Sequence, residues 1–249
     1  MKTAWDYTSL ADAYLKRPDY ATEAIDELCA LAGVSAGSDV ADVGAGVAHL
    51  TLMLADRGLN VTAVEPNDAM RANGITRTAS FKNVRWFEGV GEATTLEDNS
   101  YDFVTFGSSF NVTDRQEALK ETKRIARPRA WFACMWNHRD LSDPIQTAIE
   151  DIIKKHVDSY DYGSRREDQT AVINASELFG DVHKLEGVVH HSQTIIDCVE
   201  AWRSHATLQR QAGDAFPAVV KDIEAMLADL KTDAIQIPYT TRIWAAQLR

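Results

Sequence analysis

From residue 19 to residue 136, short continuous apolar runs alternate with longer stretches whose apolar residues recur every three or four positions. The short runs predict strands and the longer period predicts helices. A helix is expected over 19–32, opened by Pro18, with Ala24, Ile25, Leu28 and Leu31 on one face and Gly33 and Gly37 at its end. Strand one falls at 40–43, then a helix at 48–57 stopped by Gly58, strand two at 60–64, and a helix from Asp68 past Ala72. Strands three and four follow at 84–88 and 101–106. Helix 115–125 leads through Pro128 to strand five at 130–136. Such alternation predicts an α/β fold with a doubly wound, mostly parallel sheet and helices on both faces. Beyond Trp136 the regularity breaks. A helix is expected at 144–156, a polar stretch at 158–168 that suits a cap, a late strand at 182–193, helices at 195–208 and 216–230, and a closing strand at 239–246.

Residues 41–49 read Ala-Asp-Val-Gly-Ala-Gly-Val-Ala-His, and Glu65 ends a second apolar run. Both segments sit at strand tips that adjoin at the switch point of a doubly wound sheet, where nucleotide-like ligands bind. Gly44 and Gly46 allow the backbone to pass close to a ligand without a Cβ in the way. Glu65 offers two carboxylate oxygens to a pair of ribose hydroxyls. A dinucleotide fingerprint, G-x-G-x-x-G, needs a third glycine where His49 stands. Asp42, placed before the first glycine, would repel a pyrophosphate and suits the cationic end of a ligand. An ordinary glycine turn with no ligand is the remaining alternative.

Further motifs follow in order: Tyr14-Leu-Lys-Arg17-Pro18-Asp-Tyr20, Val64-Glu65-Pro66-Asn67-Asp68-Ala-Met70, Gly91-Glu92-Ala93, Ser108-Ser-Phe110-Asn111, Arg124-Ile-Ala-Arg127-Pro128 and Trp136-Asn137-His138-Arg139-Asp140. With the glycine turn, they make the chain resemble the class I S-adenosylmethionine (SAM)-dependent methyltransferases of the small-molecule branch called type 11. The resemblance runs almost end to end. It implies a Rossmann-like fold with an antiparallel C-terminal edge and a small helical cap, SAM as cofactor and S-adenosylhomocysteine as product. It assigns Asp42, Gly44, Ala45, Gly46, Glu65 and Pro66 to SAM, Met70 to the flank of the adenine, and Gly91, Glu92 and Ala93 to its edge. Ser108 would lie under the methionine. The implied organisation is a single domain, 1–249, with an N-terminal arm at 1–32, a SAM-binding core at 38–136, a cap and late strand at 137–210, and a C-terminal helix and edge strand at 211–249. Thr94, Glu97, Val112 and Pro128-Arg129-Ala130 depart from the family pattern. The first three bear on adenine and substrate contacts.

Methyl transfer from a sulfonium expels a neutral thioether, so in-line positioning supplies much of the rate. A base is needed only for an acceptor that is protonated at working pH. Arg17 is the candidate partner for the SAM carboxylate, since its fork suits bidentate recognition. Tyr7 and Tyr14 are candidates to close over the methionine and the acceptor. Asn111, just past strand four, is a candidate to orient the acceptor, and His138, just past strand five, is a candidate base.

The chain has 249 residues and a formal net charge of −11, which disfavours a nucleic-acid substrate. Its three cysteines show no C-x-x-C spacing, so neither a disulfide framework nor a structural metal site is expected. No apolar signal core opens the sequence and no segment reads as a membrane span, which makes the cytoplasm the expected location. The expected partner is a small-molecule acceptor methylated at oxygen or nitrogen, on a monomer or homodimer. Alternatives are a SAM-fold enzyme catalysing a cyclisation, a module that binds SAM without turnover, and a nicotinamide dehydrogenase, the weakest of the three.

Overall fold

Seven strands make one sheet in the order β3-β2-β1-β4-β5-β7-β6 in the computed structural model, which describes residues 8–203 and 205–249. They are β1 (Asp39–Val43), β2 (Asn60–Val64), β3 (Val84–Phe87), β4 (Tyr101–Gly107), β5 (Ala126–Arg139), β6 (Phe179–Thr194) and β7 (Ala234–Leu248). The first five run parallel, and β7 lies antiparallel between β5 and β6. The helices are α1 (Ala11–Tyr14), α2 (Thr22–Ala32), α3 (His49–Asp56), α4 (Asp68–Arg77), α5 (Arg115–Ile125), α6 (Pro144–His156), α7 (Thr170–Ala175), α8 (Ile195–Arg203), α9 (Ala206–Ala212) and α10 (Phe216–Asp229). This is the Rossmann-like class I fold that the sequence implied. No helix among the described residues is long and apolar enough to cross a membrane.

Two apolar layers sandwich the sheet. On one face Ile25 and Leu28 of α2 and Leu50 and Leu54 of α3 pack on Val40, Val61, Phe103 and Met135. On the other face α5 and α7 cover Val43, Phe106, Phe132 and Phe179. Parallel strands covered on both faces become continuous apolar runs, which is why β1, β2 and β4 are legible. A third cluster is separate: Ile149 and Ile153 of α6, Trp202 of α8, Leu208 of α9 and Ile223 of α10 meet Ile235 and Ile237 of β7. That cluster gathers helices that follow β5 and β6 onto the start of β7, in the part of the chain expected to form a cap.

Caps set the helix starts. Asp114 accepts from the Gln116 and Glu117 amides at 3.1 and 3.2 Å, Asn67 from Ala69 and Met70, and Asp143 from Ile145 and Gln146 ahead of Pro144. Several boundaries differ from expectation, among them the closing strand, which starts at Ala234 rather than 239, and the late strand, which starts at Phe179 rather than 182. The first long helix starts at Thr22 because Asn137 binds the Pro18 and Asp19 carbonyls and Thr241 Oγ1 accepts from the Ala21 amide at 2.8 Å. The expected helix at 195–208 is two helices, and His205 caps the second by accepting from the Leu208 amide at 3.1 Å. β5 begins early, at Ala126, because that residue pairs with Tyr101 before a register shift at Phe103.

Candidate functional site

The order of the sheet reverses at β1, which has β2 on one side and β4 on the other. Above this point lies a cleft of about 560 Å³. Its floor is the turn after β1. The Gly44 and Ala45 amides both donate to the Val64 carbonyl, at 2.8 and 3.0 Å, which fixes the turn against the tip of β2. Gly44 has φ +70°, and a Cβ there would lie 2.4 Å from the Ser109 Cβ. Gly46 has φ +57° and faces open space with nothing within 4 Å of a built Cβ. The first glycine is thus required by packing and the second leaves room for a ligand.

Glu65 is 7% exposed. Its Oε2 accepts from the Gly46 amide and its Oε1 from the Asn67 amide, both at 2.9 Å. Burial raises its pKa, and these two amides and Arg71 oppose the rise. Each oxygen keeps a second lone pair for a ligand hydroxyl. Asp42 is fully buried and accepts from Thr51 Oγ1 at 2.6 Å and Thr105 Oγ1 at 3.2 Å. Burial pushes its pKa up to about 6, with the Glu65 charge adding to the rise. A cation bound nearby would restore its ionised form.

Most residues singled out in the sequence line this cleft: Tyr14, Arg17, Asp42, Gly44, Ala45, Gly46, Glu65, Pro66, Met70, Gly91, Glu92, Ser108 and His138. The Arg17 guanidinium lies 3.7 Å from the Tyr14 ring centroid. Glu92 Oε1 accepts from the Asp114 amide at 2.5 Å. Ser108 holds a left-handed conformation, φ +59°, and its hydroxyl meets the Tyr20 hydroxyl at 2.9 Å. Two residues stand apart from the wall. Asn111 turns its Oδ1 to Trp136 Nε1 at 2.9 Å, and Ala93 exchanges backbone bonds with Val90. Tyr7 lies outside the described residues.

His138 is buried, and its Nε2 meets the Arg165 carbonyl at 3.0 Å. A carbonyl only accepts, so Nε2 carries the proton and Nδ1 presents a lone pair. That Nδ1 is buried and has no partner. Burial lowers the pKa of His138 to about 4, and the charges of Arg166 and Arg242 add to the effect.

Sequence reasoning missed several cleft residues. Ala48, which also went unremarked, holds a left-handed conformation, φ +76°, at the start of α3. His49 ties Asp19 and the Tyr14 carbonyl to α3, at 2.7 and 2.8 Å. Gln146, Tyr162, Arg165 and Arg166 also line the cleft, from α6 and the stretch read as a cap. The adjacent arginines within the acidic run 158–168 were the available signal.

Comparisons with known proteins agree with this geometry. Residues 41–134 match the family model "Methyltransferase domain". An uncharacterized methyltransferase of Mycobacterium tuberculosis is 36% identical over 135 residues, covering 54% of this chain and 53% of that one. The chain therefore spans about half the length of that relative. A ubiquinone/menaquinone biosynthesis C-methyltransferase of Zymomonas mobilis is 28% identical over 178 residues, covering 66% of this chain and 70% of that one. In fold, the chain is similar to a SAM-dependent methyltransferase from Aquifex aeolicus, with TM-score 0.53, 19% identity, and coverage of 72% and 92%.

Proposed function

We propose that the chain, whose residues 41–134 match the methyltransferase domain model, is a class I methyltransferase that transfers a methyl group from SAM to a small-molecule acceptor bound in the same cleft. The observation that carries this reading is the pairing of Gly46 with Glu65. A left-handed glycine leaves open space beside a buried carboxylate whose two oxygens are already aimed by backbone amides. That arrangement fits a ribose diol. Asp42 at the turn fits the ammonium of the methionine end, Arg17 its carboxylate, and Met70 with Gly91 the adenine. When bound, SAM supplies an electrophilic methyl on a sulfonium, and a neutral thioether leaves.

The chain's own contribution is positioning. His138 Nδ1 accepts a hydrogen bond from the acceptor's O–H or N–H, which aims the acceptor's lone pair. With a pKa near 4 it is neutral at pH 7 and a weak base. It therefore orients a proton more than it removes one from a poorly acidic acceptor. The expected acceptor atom is oxygen or nitrogen. The likeness to the Zymomonas mobilis C-methyltransferase adds an activated carbon.

The test is calorimetric titration of the purified chain with S-adenosylhomocysteine, with NADH as control. Micromolar binding of the first and none of the second supports the reading. Binding of NADH alone would overturn it in favour of a dehydrogenase.

A further inference from the structure

The half of the cleft away from Glu65 holds an unbalanced concentration of arginines. Arg139 leaves the end of β5, and Arg165 and Arg166 lie on the 3-10 turn Gly163–Arg166. Arg17 comes from the segment before α2. All four line the cleft. Arg166 Nη2 donates to the Arg139 carbonyl at 3.0 Å, so the strand end and the turn are joined. The Arg139 guanidinium lies 4.3 Å from the Trp202 ring and the Arg166 guanidinium 4.2 Å from the Tyr162 ring. Each of these two guanidiniums thus rests over an aromatic ring.

None of the four has an ion-pair partner among the described residues. The buried carboxylate nearby, Glu150, is taken up by the Tyr162 hydroxyl and lies 3.5 Å from Lys154. Arg139 donates to Gln146 Oε1 at 3.1 Å, yet its Nη2 is buried without a partner. Gln146 Nε2 and the Tyr160 hydroxyl, each in a side chain more than nine-tenths buried, are unpartnered as well. Burial holds the Arg165 pKa below its ordinary value; Tyr160 opposes this, and the charges of Arg17, Arg139 and Arg166 add to the lowering. On a chain of net charge −11 this cluster is not part of a general basic surface.

Crowding unpaired guanidiniums into a half-buried wall costs stability, because desolvation and mutual repulsion act together. The cost is recovered when an oxyanion bridges the forks. We propose, building on the methyltransferase reading, that the acceptor is an anion whose carboxylate or phosphate is held by Arg139, Arg165 and Arg166. Trp202, Tyr239 and Ile237 on the adjoining wall contact its apolar body. The anion fixes one end of the acceptor and so determines which atom reaches the methyl donor.

The test titrates the intact chain, alone and saturated with S-adenosylhomocysteine, with benzoate, phenyl phosphate and the uncharged benzyl alcohol. The anions bind at least about tenfold more tightly than the alcohol. Preference for benzoate identifies a carboxylate, and preference for phenyl phosphate identifies a phosphate. Arg165→Gln and Arg139→Gln each weaken anion binding about tenfold or more, while S-adenosylhomocysteine binding stays within about twofold. Thermal unfolding separates a binding role from a structural one. Arg165→Gln melts at or above the parent temperature, since it removes an unpaired cation. Equal binding of alcohol and anions, or loss of anion binding only together with a fall in melting temperature, overturns the proposal. Arginine-dependent anion binding in a chain that ignores S-adenosylhomocysteine would leave the anion site standing and overturn the methyl-donor reading.

Discussion

Replacing Glu65 by glutamine changes one atom in the side chain that the functional reading depends on most. The carboxylate serves two backbone amides at 2.9 Å and keeps two lone pairs for a ribose diol. Glutamine offers one acceptor oxygen and one N–H₂ group. One of the two amides, Gly46 or Asn67, then loses its acceptor, at a cost of about 1–3 kcal/mol. Burial already disfavours the charge on Glu65, so relief of that penalty offsets part of the loss. The expected net destabilisation is about 1 kcal/mol. Ligand binding suffers more. A hydrogen bond to a charged group contributes about 1.5–3 kcal/mol, and Glu65→Gln deletes one and leaves the other neutral. The expected loss is about 2–3 kcal/mol, or roughly 30- to 150-fold in the Kd for S-adenosylhomocysteine. Calorimetry gives the Kd, and urea unfolding of the same samples gives the stability. A Kd within threefold of the parent in a fully folded variant would refute the assignment of Glu65 to the ribose.

Asp42→Asn tests the second acid. An aspartate rises from about 3.9 in an unfolded chain to about 6 here, so the folded state binds more protons between those values. The contribution of Asp42 to parental stability is therefore greatest below about pH 4 and falls as pH rises to about 6, by about 3 kcal/mol. Urea unfolding should show the stability difference between parent and Asp42→Asn changing by that amount across this range, and parallel profiles would contradict the prediction. Ala48→Gly relieves a left-handed alanine, φ +76°, and should stabilise the chain by about 1 kcal/mol, read as a higher melting temperature. Gly44→Ala drives a Cβ into Ser109 at a positive φ and should destabilise the chain by more than about 1 kcal/mol in urea unfolding. His138→Ala should lower kcat while leaving S-adenosylhomocysteine affinity within about twofold, once an acceptor is in hand.

Much of the part of the cleft proposed to hold SAM was legible because it depends on local backbone demands. Gly44 and Glu65 sit at the tips of buried strands, and the apolar runs of β1 and β2 mark those tips without reference to distant residues. The left-handed conformation of Ala48 was not legible, because an alanine side chain does not advertise it. Asn111 seemed well placed at the end of β4, but its side-chain direction is set by Trp136 on a neighbouring strand. The arginine-lined part of the cleft was the least legible. Arg139, Arg165 and Arg166 meet only through the cap, and no period in the sequence encodes that meeting. The split between α8 and α9 was hidden because the apolar pattern of 195–208 is continuous and His205 acts as a cap only in the folded chain.

The most direct measurement is the crystal structure of the S-adenosylhomocysteine complex. The account predicts both ribose hydroxyls at about 2.7 Å from the Glu65 carboxylate, with the ammonium over the turn that carries Asp42. Ligand bound elsewhere, or a ribose turned away from Glu65, would contradict it.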